Sequence, residues 1–154
     1  MPFERLCVLI IDDGVIDKKI VSNRLSINSS DGVWTVHCAP TGEDAIAQIE
    51  EGLIAPDVII IDQDMSKAGG KLLGHEVVEI LRGFPNYESV VIIGCTANPD
   101  TASMHLTTAG CDAVWMKPMP SQTEAVKQII ELRRMQSPWR ENAASAALLT
   151  AKVL

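Results

Sequence analysis

Val58-Ile59-Ile60-Ile61-Asp62-Gln63-Asp64-Met65-Ser66 is an apolar, β-branched run that stops on an acid. That is the pattern of a strand buried on both faces whose last side chain emerges at its carboxyl end. An earlier run, Leu6 to Ile11, stops at the adjacent pair Asp12-Asp13, and two later ones, Val90 to Cys95 and Ala113 to Met116, are followed by Thr96 and Lys117. Three carboxylates, a hydroxyl and an ammonium are therefore brought to strand ends. Such a set has the chemistry of a metal and phosphoryl site.

Working outward, short β-branched runs alternate with helical patterns. Strands are expected at Cys7 to Ile11, Val33 to Cys38, Val58 to Ile61, Val90 to Cys95 and Ala113 to Met116. The first helix, about Val15 to Ile27, places Ile16, Ile20, Val21 and Leu25 on one stripe. The second begins at Thr41, with Asp44 three residues on as a capping-box partner, and ends at Gly52. The third carries Val77, Val78, Ile80, Leu81 and Phe84 before Pro85. The fourth runs from Asp100 to Ala109 and stops at Gly110. The fifth starts at Ser121, has Glu124 as its box partner, and buries Val126, Ile129 and Ile130.

Strands apolar on both faces and alternating with helices imply an α/β fold with a parallel sheet covered on each side. Five strands and five helices fit the flavodoxin-like doubly wound order 2-1-3-4-5. In that arrangement the crevice lies at the carboxyl ends of the first and third strands, the ends that carry Asp12, Asp13 and Asp62.

The chain has 154 residues, 47% of them hydrophobic, enough for one substantial core. Residues 1–136 read as one domain. Residues 137–154 change character after Ser137-Pro138 and become rich in Ala and Leu, as a terminal helix or the start of a linker would be. A formal charge of -7 argues against a nucleic-acid partner. With no apolar run near the roughly 20 residues that span a bilayer, a cytoplasmic protein without membrane contact is expected. Cys7, Cys38, Cys95 and Cys111 are widely spaced, with no metal-binding pattern, and read as small buried reduced thiols.

Crowded carboxylates repel one another, and a hard divalent cation such as Mg2+ relieves that repulsion while neutralising phosphoryl oxygens. Asp62 is the expected nucleophile, with Lys117 and Thr96 placed to contact the remaining phosphoryl oxygens. Taken singly, each residue also has an ordinary role: Asp13 would cap the first helix, Lys117 would be solvated, and Thr96 would belong to a plain loop. The set as a whole points to the site.

These residues resemble the receiver domain of a two-component response regulator. The resemblance rests on Asp12-Asp13 after the first strand, Asp62 in the pattern DxxM, Thr96-Ala97, and Lys117-Pro118, with Gly42 and Ala109-Gly110-Cys111-Asp112 at lesser positions. It covers about residues 5 to 135. It implies phosphorylation of Asp62 by a histidine kinase or histidine phosphotransfer protein. Mg2+ would be held by Asp13, Asp62 and the backbone carbonyl of Asp64, with Asp12 acting mainly through a metal-bound water. Lys117 would pair with Asp62 or its phosphoryl group, and Thr96 would turn inward on phosphorylation. Trp115 would be the aromatic switch residue, and Lys117-Pro118 would be cis. Such a domain catalyses only its own phosphorylation and dephosphorylation, and passes its signal to a downstream protein target through the face made by the fourth helix, fifth strand and fifth helix. Two departures from the family pattern stand out. Ser66 replaces the usual Pro after Met65, and residues 66–73 lengthen the loop before Gly74, which is therefore expected to be more mobile. Trp115 is larger than the usual Tyr or Phe and should restrict inward rotation.

Two rivals remain at this level. Asp62-Gln63-Asp64-Met65-Ser66 superficially resembles the DxDxT signature of haloacid-dehalogenase-type phosphatases, although there the nucleophile motif comes first and the acidic pair late. A receiver-like module that docks partners without being phosphorylated is the other.

Overall fold

The computed structural model describes residues 5–29 and 32–136. Strands β1 (Arg5–Ile11), β3 (Gly32–Ala39), β4 (Val58–Ile61), β5 (Val91–Thr96) and β6 (Ala113–Met116) are parallel, and the short β2 (Ile27–Ser29) lies antiparallel on the edge of β3. The sheet order is β2-β3-β1-β4-β5-β6. Without β2, this is the doubly wound order expected from the sequence. Helices α1 (Val15–Leu25), α2 (Gly42–Glu50), α3 (Gly74–Arg82) and α4 (Pro99–Ala109) alternate with the strands, and α5 covers 122–136.

Every residue of β4 and β5 is buried, as strands covered on both faces must be. Their side chains alternate between two cores. Val8, Ile10, Ile60, Ile93 and Trp115 pack with Val21 and Leu25 of α1 and Ala125 and Ile129 of α5. Leu9, Ile11, Ile59, Ile61 and Ile92 pack with Ala45 of α2 and Val77, Val78 and Leu81 of α3. The capping pair forms at α2, where Thr41 Oγ1 accepts from the Asp44 amide at 3.2 Å and donates to Asp44 Oδ2 at 2.7 Å. At α5 the Glu124 amide donates to Ser121 Oγ at 3.3 Å.

The first helix departs from expectation. It stops at Leu25, and Ile27 pairs with Trp34 in the β2 hairpin. Its inward stripe is Asp17, Val21 and Leu25, at i, i+4 and i+8, whereas Val15 and Ile16 are 77% and 75% exposed. The physical reason is position: α1 starts beyond the strand ends, so its first turn has no sheet beneath it. Arg24 locks the other end by donating to the Met119 and Pro120 carbonyls at 2.9 Å each. The cysteines are free, but only Cys95 is fully buried, and Cys38 is exposed. Cys38 lies past the part of β3 that the three-residue β2 covers, so it borders an open edge. Residues 137–154, including the expected terminal helix or linker, lie outside the described residues. Among the described residues no helix is long and apolar enough to cross a membrane.

Candidate functional site

Backbone hydrogen bonds continue the ladder one residue past each strand end. The Asp12 amide donates to Ala39 O at 3.1 Å, the Asp62 amide to Ile11 O at 2.8 Å, and the Lys117 amide to Thr96 O at 2.9 Å. With Ile11 paired to Ile61, Asp12 and Asp62 leave adjacent strands at the same level. Carboxylate oxygens of Asp12, Asp13 and Asp62 all lie within 4.8 Å of one another. Asp13, Asp62, Asp64, Thr96 and Lys117 line one cleft of about 320 Å³. The acids, hydroxyl and ammonium picked out of the sequence are thus brought together.

Lys117 Nζ is shared by three carboxylates: Asp12 Oδ2 at 2.8 Å, Asp17 Oδ2 at 3.1 Å and Asp62 Oδ1 at 3.4 Å. Burial disfavours its charge, but the hydrogen bonds and charges of those acids outweigh burial and hold the ammonium above the ordinary lysine range. Asp62 is 9% exposed. Loss of water, and next the charge of Asp12, push its carboxyl up to about 6, with Lys117 and the Gln63 amide opposing. Asp12 is tied further by the Gly14 amide, at 2.8 Å from Oδ1. Asp13 differs from both, since its Oδ2 is buried without a hydrogen-bond partner. It does not cap α1, whose N-cap is Gly14. An orphaned carboxylate oxygen beside two further acids, in an all-oxygen donor set, fits a hard divalent cation.

Asp64 stands apart. Its carboxylate is exposed at the rim and accepts from the Ser66 amide at 3.0 Å, a bond that holds it below the usual carboxylate range. It is not one of the three converging acids, so any role in holding a cation falls to its main chain. Thr96 is buried, and its Oγ1 accepts from the Asn98 amide at 3.1 Å. The Lys117-Pro118 bond is cis. The long loop after Asp64 has hydrogen bonds of its own: Ser66–Ala68 forms a 3-10 turn, the Gly70 amide returns to Met65 O at 3.1 Å, and the Lys71 amide donates to Glu43 at 2.8 Å. Gly74 then sits against the Asp62 carbonyl, where a Cβ would collide. This lets α3 begin directly beneath the acid.

Trp115 is not where its expected switch role needs it. Its partner across the ladder is Cys95, and both lie in the core under α1 and α5. Thr96, the next residue, pairs with Met116 and so shares the opposite face. The Trp115 ring is already 4% exposed, and its Nε1 donates to Gln128 of α5 at 2.6 Å. It is a core anchor, and the side chain beside Thr96 is Met116, 61% exposed. Three site neighbours escaped the sequence reading. Asp17 carries a signal that was available, since it stands four residues before the buried Val21. Gln63 and His75 had none. The His75 amide donates to Gln63 Oε1 at 2.9 Å, Gln63 Nε2 donates to His75 Nδ1 at 2.7 Å, and the His75 ring stacks on His105 of α4 with centroids 5.1 Å apart.

A doubly wound sheet with this acidic cluster at its switch point is the architecture of receiver-type signalling domains. Residues 8–131 match the response regulator receiver domain family, and the chain belongs to it. This two-component signalling family sets aside the haloacid-dehalogenase-type alternative. A protein-glutamate methylesterase/protein-glutamine glutaminase of Trichodesmium erythraeum (strain IMS101) is 30% identical over 124 residues, which are 79% of this chain and 33% of the relative. The chain thus spans about a third of that protein's length. Among solved structures, a response regulator from Chloroflexus aurantiacus J-10-fl superposes with a TM-score of 0.70 at 23% identity, covering 84% of this chain and 98% of that one. Response regulator Rcp1 in its Mn(2+)-bound form gives 0.62 at 16% identity, covering 87% and 94%. At these identities the likeness shows the fold alone.

Proposed function

We propose that the chain accepts a phosphoryl group on Asp62 from a phosphohistidine of a histidine kinase or histidine phosphotransfer protein, and passes the signal on through protein contact. The observation that carries this reading is the convergence of Asp12, Asp13 and Asp62 within 4.8 Å, with the Lys117 ammonium 3.4 Å from Asp62 Oδ1. Asp62 Oδ1 already accepts from the Gln63 amide at 2.9 Å, so Oδ2 is the attacking oxygen. In the transfer an O–P bond forms at Asp62 as the P–N bond to the donor imidazole breaks, and the bonding pair leaves with the imidazole. Lys117 and Thr96 take up the phosphoryl oxygens.

Asp12, Asp13 and Asp62, with the main-chain carbonyl of Asp64, would hold Mg2+, which when bound supplies charge neutralisation for the phosphoryl oxygens. Metal binding by this fold has a parallel in Rcp1, whose structure is of a Mn2+-bound form. The chain catalyses only its own phosphorylation and dephosphorylation. A shift of Thr96 toward the phosphoryl group would be felt at Met116 and α4, a route from the site to an exposed face.

Incubation with radiolabelled acetyl phosphate and Mg2+ tests the reading. Wild type should form a base-labile acyl phosphate and Asp62→Asn should not, while keeping its fold. Full labelling of the variant would refute the assignment, and absence of labelling in both would favour a module that acts without phosphorylation.

A further inference from the structure

Asp17 is a fourth carboxylate at the site. It reaches Lys117 at 3.1 Å, closer than Asp62 at 3.4 Å. An acid in the first turn of a helix is favourable wherever it points, but that preference does not explain a side chain turned inward onto an ammonium that two other acids already hold. A second observation accounts for the reach. A Cβ built on Gly14 would stand 3.0 Å from Asp17 Oδ2 and 3.2 Å from Asp12 Oδ1. Glycine at 14 leaves the passage through which Asp17 folds back over the start of α1. With Val21 and Leu25 fixing that face of the helix against the core, the direction of Asp17 is set by the fold.

We propose that Asp17 is a positioning residue that holds the Lys117 ammonium toward Asp12 and α1, so that a phosphoryl group arriving on Asp62 must draw Lys117 out of its contact with Asp17. The proposal rests on Asp62 being the phosphoryl acceptor. The resting site then has a built-in opposition to the phosphorylated geometry, and its size is that of a half-exposed ion pair, since the Asp17 side chain is 45% exposed. Removing the charge should favour the phosphorylated state by roughly two- to fivefold.

The test uses the full chain with beryllofluoride, a mimic of the acyl phosphate, in saturating Mg2+. Asp17→Asn should bind the mimic about two- to fivefold more tightly than wild type, and Asp17→Glu should return to near the wild-type affinity. Equal or weaker binding by Asp17→Asn would overturn the proposal. A second arm needs no phosphoryl chemistry: the 15N-edited resonance of the Lys117 ammonium, assigned by its loss in Lys117→Met, is followed without Mg2+ or phosphodonor. It should shift and exchange its protons faster in Asp17→Asn and recover in Asp17→Glu, and an unchanged resonance overturns the proposal. Failure of wild type to bind beryllofluoride would count against Asp62 as acceptor, while the resonance still decides whether Asp17 positions Lys117.

Discussion

Replacing Asp62 by Asn should stabilise the metal-free protein at neutral pH, even though it removes the residue on which the function depends. The Asp62 carboxyl, buried beside Asp12, is raised from 3.8 to about 6 in the folded protein. Well below pH 3.8 it is protonated in both folded and unfolded chains and costs nothing. Between about 4 and 6 the unfolded chain has released a proton that the folded one keeps, so stability falls as pH rises through that window. Above it the folded protein carries the full cost of an ionised carboxylate. At 1.36 kcal/mol per tenfold change in proton affinity, the shift from 3.8 to about 6 is worth about 3 kcal/mol. Asn keeps the volume without the charge, and relaxation around the site lowers the expected gain to about 1–3 kcal/mol. Urea denaturation in EDTA at pH 4 and pH 7.5 measures it: the two proteins should nearly coincide at pH 4, and Asp62→Asn should be the more stable at pH 7.5. Added Mg2+ should then stabilise wild type more than the variant, because binding to the folded state alone adds RT ln(1 + [L]/Kd). A variant equal to or weaker than wild type at pH 7.5 without metal would refute the claim that like-charge crowding and desolvation dominate at Asp62.

Two further expectations concern the same cleft. Asp13→Asn should weaken Mg2+ binding more than Asp12→Asn in a calorimetric titration, because Asp13 Oδ2 is unpartnered while Asp12 is occupied by Lys117 and the Gly14 amide; equal affinities would remove that ranking. Asp64→Ala should lengthen the half-life of phosphorylated Asp62 by roughly threefold with Mg2+ saturating, since the exposed Asp64 carboxylate shares the rim with Asn98 and can orient an attacking water; an unchanged or shorter half-life would make it a bystander or a shield.

The parallel sheet and its acidic end were legible because their signals are local. An apolar β-branched run ending on Asp62 marks a doubly covered strand and the place where its last side chain emerges, and the same holds for Asp12-Asp13 and for Lys117. Once the order of the strands follows from their alternation with helices, those residues have only one edge at which to meet. The phase of a strand apolar on both faces is another matter. Ala113-Val114-Trp115-Met116 shows no polar alternation from which to tell which side of the sheet Trp115 takes, and a one-residue difference reverses it. Only the pairing of Cys95 with Trp115 and of Thr96 with Met116 decided that the indole packs under α1 and α5 while Met116 stands beside the hydroxyl.

What the amino-acid order determined, then, is the chemistry supplied: the five parallel strands, though not the antiparallel edge strand β2, and which carboxylates, hydroxyl and ammonium they carry to the carboxyl edge. What the tertiary structure decided is how that chemistry is shared. Lys117 lies 100 residues from Asp17 and 105 from Asp12, and no local pattern says which of the nearby acids will hold it. The answer depends on the rotation of α1, set by Val21 and Leu25 in the core, and on the space that Gly14 leaves open. Hydrophobic periodicity is written along the chain, whereas the distribution of one positive charge among three acids is a balance of distances that exists only after packing.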